Sequence, residues 1–223
     1  MKEKHRCNLQ KTSYMTIGIL AEHAVKLELQ EKGFPEDVSV LWVDSLSSLL
    51  MIEADCLFDL KFEMDNERTA RLKNLSVPVF ISAMNNTLDE IGDPGFIRLN
   101  AWPGFLNRSV TEFACAEISL EKAQAVFSRL GWKTIRVADI PGFVTARIVA
   151  SIINEAYFAL GEDVSSEEQI DVAMKFGTNY PLGPFEWARK IGRLQVLALL
   201  QSIHKNDNRH QIAPMLINLV AAE

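Results

Sequence analysis

Histidine and cysteine are the side chains that most readily transfer protons, attack substrates or bind metals near neutral pH. The chain has four histidines, at separate places: His5, His23, His204 and His210. Its three cysteines are Cys7, Cys56 and Cys115. The cysteines show neither metal-ligand spacing nor a disulfide framework. We therefore expect no metal site, and thiols that are kept in a reducing compartment.

The charge balance and hydropathy exclude several classes of protein. The chain has 23 basic and 29 acidic residues, a net charge of −6, which disfavours a nucleic-acid partner. No apolar run reaches the length of a membrane span, and residues 1–12 are polar and lack the apolar stretch of a secretory signal. We expect a soluble cytoplasmic protein that binds neither nucleic acid nor membrane.

Short apolar runs alternate with helical patterns in the first part of the chain. The runs predict strands at 15–20, 38–43, 56–60, 77–82 and 133–137. Helical patterns after the first run and at 64–74 and 120–130 lie between them. Short buried strands that alternate with helices are typical of a parallel sheet built from βα units, an α/β fold.

The second part of the chain has apolar residues at helical spacing and no strand pattern. Helices are predicted over 148–160, from a cap at Ser165 or Ser166 to Gly177, after the 181–184 turn, and over 194–203. The pattern changes at residues 139–141. The sequence therefore predicts an α/β domain over residues 1–138 and an all-α helical domain over residues 139–223.

A series of motifs in the helical domain is the most specific signal in the sequence. It comprises Pro-Gly-Phe-Val at 141–144 with Arg147, Asn-Glu-Ala at 154–156, Ile-Asp at 170–171, Ala-Met-Lys at 173–175 and Tyr-Pro-Leu-Gly-Pro-Phe-Glu at 180–186. In order and spacing these motifs resemble the C-terminal domain of the L-3-hydroxyacyl-CoA dehydrogenase family. The resemblance implies a preceding Rossmann-like sheet domain, shortened here, and a homodimer formed through the helical domain.

The resemblance also implies a cofactor loop, in which Gly-x-Gly-x-x-Gly lets the NAD diphosphate approach backbone at a helix N-terminus. At that place the chain reads Gly-Ile-Leu-Ala-Glu-His over 18–23, so that only Gly18 is retained. Leu20 and Glu22 stand where backbone and phosphate should meet. We hypothesise that Glu22 takes the place of the diphosphate at the positive end of the helix dipole. We expect His23 to be an exposed first-turn residue, and no bound cofactor.

Asp44 ends the second apolar run, where members of the family bind the ribose hydroxyls. Asp44 and Ser45 also fit a helix cap, and the sequence leaves the two roles open. Residues 38–55 fit either the second or the third strand of the family, so one strand–helix unit is missing. The helical segment of that region helps to hold the CoA nucleotide in the family, so its absence also disfavours CoA binding. An acyl-CoA or another small molecule stays a possible ligand.

Four active-site positions follow from the resemblance. The family glutamate matches Glu112, and the histidine general base twelve positions earlier matches Asn100. The substrate-contacting serine matches Ala83, and the active-site asparagine matches Ala146. An asparagine cannot take up a proton at neutral pH, and loss of a general base alone costs about 10²–10⁴-fold in rate.

These residues favour a 3-hydroxyacyl-CoA dehydrogenase-like protein of fatty-acid metabolism that has lost NAD-dependent hydride transfer. In this interpretation it acts as a dimeric binding or scaffold protein. The alternative is a divergent but active NAD-dependent 3-hydroxyacyl-CoA dehydrogenase, which Glu112 and the helical motifs support. A cleft that binds an unrelated small molecule is a third possibility.

Overall fold

A computed structural model describes residues 14–206 and 211–223. A seven-stranded sheet occupies the first part: β1 (Met15–Leu20), β2 (Val38–Val43), β3 (Cys56–Asp59), β4 (Val79–Ile81), β5 (Ile97–Leu99), β6 (Thr111–Cys115) and β7 (Thr134–Arg136). The strand order is β2-β1-β3-β4-β5-β6-β7. Neighbouring strands are parallel except for the antiparallel pair β5–β6. The predicted mostly parallel α/β sheet is thus confirmed.

Helices connect the strands and then form the remainder of the described chain. They are α1 (His23–Lys32), α2 (Leu46–Leu50), α3 (Asn66–Lys73), α4 (Leu88–Ile91), α5 (Glu117–Arg129), α6 (Thr145–Gly161), α7 (Glu167–Thr178), α8 (Pro184–Ile191), α9 (Arg193–Asn206) and α10 (Pro214–Ala221). The change from α/β to all-α structure is confirmed, and the division at residue 139 stays a prediction. Within the described ranges no helix is long and apolar enough to cross a membrane. His5, Cys7 and His210 lie outside the described residues.

The position of β2 identifies the strand–helix unit that is missing. β2 pairs with β1 in parallel along its whole length, from Met15↔Val38 to Leu20↔Val43, and β3 lies on the other side of β1. A doubly wound sheet of order 3-2-1-4-5-6 has its third strand outside the second. In the described chain no strand pairs with the outer edge of β2. Residues 38–43 are therefore the second strand, and the third strand and its helix are the missing unit.

Two short strands, β5 and β6, were not predicted from the sequence. They are three and five residues long, and every residue in them is buried. Both border the loops around Pro94-Gly95 and Pro103-Gly104, whose composition predicts irregular structure. Their antiparallel register, from Ile97↔Cys115 to Leu99↔Phe113, leads to Asn100 and Glu112 at one end.

Arg98 of β5 is a fully buried cation that connects the sheet with the start of the helical part. Its guanidinium donates to Asp139 and, at 2.7 and 3.0 Å, to the carbonyl of Ala83. The other oxygen of Asp139 accepts from the backbone N–H of Leu88 at 2.8 Å. Burial lowers the pKa of Arg98, and the hydrogen bond with Asp139 opposes that shift.

The Pro-Gly-Phe motif forms the turn that follows this ion pair. Gly142 has φ 78° and Phe143 has φ 53°, two consecutive residues in the left-handed region. The N–H of Gly142 donates to the carbonyl of Met84 at 2.8 Å, and an added Cβ would lie 2.9 Å from Leu199. A left-handed residue other than glycine costs roughly 1–2 kcal/mol. The fully buried Phe143 ring, 4.6 Å from the Arg98 guanidinium, offsets that cost.

The motifs at 170–175 and 180–186 form one structural unit. Asp171 accepts from the backbone N–H groups of Phe185 at 2.8 Å and Glu186 at 3.2 Å, and so caps α8. A Cβ on Gly183 would collide with the Asp171 carboxylate, which explains the glycine. Glu186 reaches back to the N–H of Gly183 at 2.9 Å and also pairs with Lys175. These residues are therefore explained by helix capping.

Candidate functional site

Asn100, Glu112 and Thr145 form a buried hydrogen-bond network where the sheet meets α6. Asn100 Nδ2 donates to Glu112 Oε2 at 2.9 Å and to Thr145 Oγ1 at 3.2 Å. The Thr145 hydroxyl donates to Glu112 Oε2 at 2.7 Å, and its backbone N–H donates to Glu112 Oε1 at 3.1 Å. The structure thus brings together the two residues that the sequence placed at the general-base and glutamate positions.

Both oxygens of the Glu112 carboxylate in this network accept hydrogen bonds from the protein. Three donors engage the two oxygens of Glu112, whose exposed fraction is 8%. Asn100 is 2% exposed and turns its amide nitrogen toward Glu112, while its Oδ1 has no partner among the described residues. The Asn100 amide cannot accept a proton from a substrate, and the oxygens of Glu112 are engaged by donors of the protein. The arrangement stabilises the junction between sheet and helices.

Thr145 was missed by the sequence reasoning, because it stands at a variable position of the Pro-Gly-Phe-x-x-Asn-Arg motif. Its neighbour Ala146, at the family asparagine position, is fully buried in α6 and belongs to the core of the helical part. Ala83 is also buried, and its carbonyl is held by Arg98. The sequence feature that could have indicated a role for Thr145 is its hydroxyl group at the first residue of a helix.

A cleft of about 470 Å³ opens at the carboxyl ends of β1, β3 and β4. Ala83, Met84 and Ala101 line it from the sheet, and Ile191 and Gln195 line it from the helical part. Ligands of doubly wound sheets bind in this crevice, outside the carboxyl ends of the strands. Of the four catalytic positions Ala83 alone is among the residues that line the cleft, and all four are buried.

The charged groups of the cleft come from the ends of β1 and β3. Glu22 is the N-cap residue of α1, but its side chain makes no capping hydrogen bond. Its carboxylate lies 2.6 Å from the Nζ of Lys61, which follows β3. Asn85 also lines the cleft, and its Oδ1 is inaccessible and has no partner in the described chain. The structure thus shows that Glu22 has an ion-pair partner, Lys61, which the sequence did not reveal.

Gly18 lies inside β1 and not in the turn before α1. It pairs with Leu41 on one side and Leu57 on the other. A Cβ at this position would lie 2.7 Å from Leu57 Cδ2 and 3.3 Å from Leu49 and Ile52 side-chain atoms. The glycine therefore makes room for packing side chains of the protein, and it does not line the cleft.

Asp44 and His23 are both exposed. Asp44 directly follows β2 and is not among the residues that line the cleft. The cap of α2 is Ser45, whose hydroxyl accepts from the N–H of Ser48 at 3.1 Å, so that the cap role falls on Ser45 and not on Asp44. His23 is the first residue of α1, as expected.

Helix α1 also fixes the loop between β5 and β6 that forms part of the cleft wall. Lys32 Nζ donates to the carbonyls of Leu106 and Arg108, both at 2.8 Å, and Glu28 accepts from the N–H of Gly104. Burial lowers the pKa of Lys32. Burial also lowers the pKa of Arg108, whereas Glu112 and Glu28 raise it. These bonds explain why buried charges occur on α1.

The mostly parallel sheet, the cleft at its carboxyl ends and the helical second part define a Rossmann-like fold followed by a helical part. Residues 142–223 match the family described as 3-hydroxyacyl-CoA dehydrogenase, C-terminal domain. This part of the chain is therefore similar to the C-terminal domain of the 3-hydroxyacyl-CoA dehydrogenase family, as the motifs predicted.

The curated relatives are similar in sequence to only part of the chain. A 3-hydroxyadipyl-CoA dehydrogenase of Escherichia coli is 39% identical over 97 residues, which are 43% of this chain and 20% of that protein. A 3-hydroxybutyryl-CoA dehydrogenase of Bradyrhizobium diazoefficiens is 34% identical over 111 residues, 49% of this chain and 38% of that protein. The chain thus spans well under half the length of these relatives.

Solved structures resemble the chain over nearly its whole length. The (S)-3-hydroxybutyryl-CoA dehydrogenase PaaH1 from Ralstonia eutropha superposes with a TM-score of 0.70 and 21% identity, covering 94% of both chains. FadB2 of M. tuberculosis superposes with a TM-score of 0.71 and 13% identity, covering 93% of both chains. At these identities the likeness establishes the fold.

The residues of the cleft do not fit the NAD that the family resemblance implies. The turn from β1 to α1 consists of Ala21 and Glu22, and neither this turn nor the preceding residue Leu20 provides a glycine or a left-handed residue. A diphosphate at the N-terminus of α1 would meet the Glu22 carboxylate where the fold requires bare backbone. Gly18 is used for internal packing.

The network around Glu112 predicts an effect of Thr145→Val on stability. This nearly isosteric change removes the hydroxyl that donates to Glu112 and accepts from Asn100, and leaves the backbone N–H in place. We expect a loss of about 1–3 kcal/mol in the free energy of unfolding, measured by urea denaturation, because a buried carboxylate loses a donor. Thr145→Ser keeps the hydroxyl and should cost less. Equal losses for the two variants would show that packing, and not the hydroxyl, is responsible.

Proposed function

We propose that this 3-hydroxyacyl-CoA dehydrogenase-like protein has lost hydride transfer and acts as a dimeric binding or scaffold protein. The observation that carries the proposal is the hydrogen-bond network of Asn100, Glu112 and Thr145, in which every donor contact ends within the protein. An amide stands at the position of the general base, and the carboxylate that would orient that base is engaged by three donors. The site therefore lacks a group that can take the proton of a 3-hydroxyl.

The expected decreases in rate are large enough to abolish the activity and not merely to reduce it. Loss of the general base costs about 10²–10⁴-fold in rate, and loss of a polar donor costs about 10²–10³-fold more. The misfit of the cofactor cleft adds to both, because without bound cofactor there is no hydride acceptor.

One observation favours the alternative, a divergent but active NAD-dependent 3-hydroxyacyl-CoA dehydrogenase. Glu112 remains buried and hydrogen-bonded to residue 100, which is the geometry that would orient a base at that position. The two proposals differ in whether any turnover depends on this carboxylate.

The proposal predicts no turnover by the unmodified protein. Oxidation of 3-hydroxybutyryl-CoA with NAD, followed as NADH absorbance at high protein concentration, should not exceed the rate without protein. Asn100→His supplies a base beside Glu112, yet it should also be inactive, because the cleft still excludes the cofactor. Turnover by the unmodified protein that is abolished in Glu112→Gln would contradict this proposal and favour the active enzyme.

We also propose that the helical part forms the homodimer. The supporting observation is a set of exposed apolar side chains on α6 and α7, at a spacing of four residues along each helix. They are the N-cap residue Val144 and Ile148 of α6, with exposed fractions of 45% and 51%, and Val172 and Phe176 of α7, with 50% and 84%. Exposed apolar side chains of this kind are typical of helices that contact another subunit.

The dimer predicts a matched pair of substitutions. Ile148→Asp and Leu27→Asp each place a charge at an apolar residue with an exposed fraction of 51%, the first on α6 and the second on α1 of the sheet part. In sedimentation equilibrium we expect a dimer for the unmodified protein and for Leu27→Asp, and a shift to monomer for Ile148→Asp, because a buried unpaired charge opposes association. A monomeric unmodified protein, or equal effects of the two variants, would contradict the proposal.

A further inference from the structure

We propose that Glu22 and Lys61 form an internal ion pair that occupies the phosphate position of the cleft, so that the cleft takes a small ligand without phosphate. This inference rests on the proposed function, because it assumes that the cleft still binds a ligand. In this proposal the cleft binds a ligand of another chemical class in place of the nucleotide that such folds usually bind.

Glu22 lies where the fold places the anion of a bound ligand. Glu22 immediately precedes α1, a ten-residue helix whose first backbone N–H groups have no partner within the helix. The positive end of a helix dipole favours an anion, and in doubly wound sheets that anion is the ligand diphosphate. Here the chain itself supplies a carboxylate beside this helix end; it lines the cleft, makes no hydrogen bond with the N–H groups of the helix and pairs with Lys61.

The position of Lys61 is fixed. The N–H of Leu60 donates to the carbonyl of Leu20 at 2.8 Å, which aligns the ends of β1 and β3. Lys61 and Glu22 are each close to this bond in the chain, so their side chains face each other across the mouth, 2.6 Å apart. The cation that could bind a phosphate is therefore already neutralised.

The charges of the cleft wall decide what an incoming anion would meet. Glu63 also lines the cleft, so Glu22, Lys61 and Glu63 together give this wall a net negative charge. Each like charge at about 4 Å weakens the binding of an anion by roughly fivefold in a water-like dielectric, and by more in a lower one. Pyrophosphate, dinucleotides and CoA are disfavoured by the same charges.

The remaining polar groups indicate which ligand fits. Asn85 also lines the cleft, but its Oδ1, which has no partner in the described structure, is inaccessible and is not open to a ligand. Ser82, Asn86 and Gln195 add uncharged polar groups to the lining. The volume of about 470 Å³ is in the range of small-molecule sites. The cleft is thus suited to a small neutral or cationic molecule with hydroxyl, amide or amine donors.

The test is the gain of anion binding after removal of one carboxylate. Calorimetric titration with inorganic pyrophosphate compares the unmodified protein, Glu22→Gln and Glu63→Gln. Both glutamates line the cleft and are exposed, so neither substitution should disturb the fold, which circular dichroism verifies. We expect no saturable binding by the unmodified protein and a gain of at least about tenfold for Glu22→Gln, because it frees Lys61 and removes one negative charge.

Two controls give the test its specificity. Glu63→Gln removes the same charge without freeing Lys61 and should gain markedly less. Adding Lys61→Met to Glu22→Gln should abolish the gain. The inference is overturned if the unmodified protein binds pyrophosphate as tightly as Glu22→Gln, if Glu22→Gln gains nothing, or if Glu63→Gln gains as much. The proposed loss of catalysis fails on a different result, NAD-dependent turnover by the unmodified protein.

Discussion

The buried guanidinium of Arg98 is the constraint on which the geometry of the site depends. It is fully buried, and its donors are taken up by Asp139 and by the carbonyls of Ala83 and Ile140. Removing one partner of a buried ion pair costs about 3–5 kcal/mol, because the other charge is left unpaired. The floor of the cleft at Ala83 and the entry into the helical part at Asp139 are therefore held by one side chain.

Apart from Glu112, the residues that keep the family resemblance shape the helical part, and the residues that differ stand at positions that would do chemistry. Gly183 makes room for the cap at Asp171, and Asn154 binds the carbonyl of Gln211 at 2.8 Å and the N–H of Ala213 at 2.9 Å. Each of these has a structural reason that is independent of catalysis. Asn100 and Ala146 at the catalytic positions are buried in packing roles. A scaffold can keep the first set and lose the second.

Local patterns allowed much of the fold to be predicted. The apolar runs of β1 to β4, and the alternative cap at Ser166 of α7, depend on neighbours in sequence, and the structure has them. β5 and β6 escaped prediction because their few residues are held by pairing with distant strands. Thr145 and Lys61 escaped for the same reason, since their partners Glu112 and Glu22 lie 33 and 39 positions away in the chain. Asn100 and Glu112, which the family resemblance placed at one site, are hydrogen-bonded to each other in the structure.

The proposed function depends above all on the loss of NAD binding in the cleft. Calorimetric titration of the unmodified protein with NADH, first alone and then in the presence of acetoacetyl-CoA, tests this claim directly. We predict no heat beyond dilution in either titration, because Glu22 and the glycine-free turn stand at the diphosphate position. Saturable binding of NADH, above all if acetoacetyl-CoA tightens it, would contradict the account and make a divergent dehydrogenase the better description.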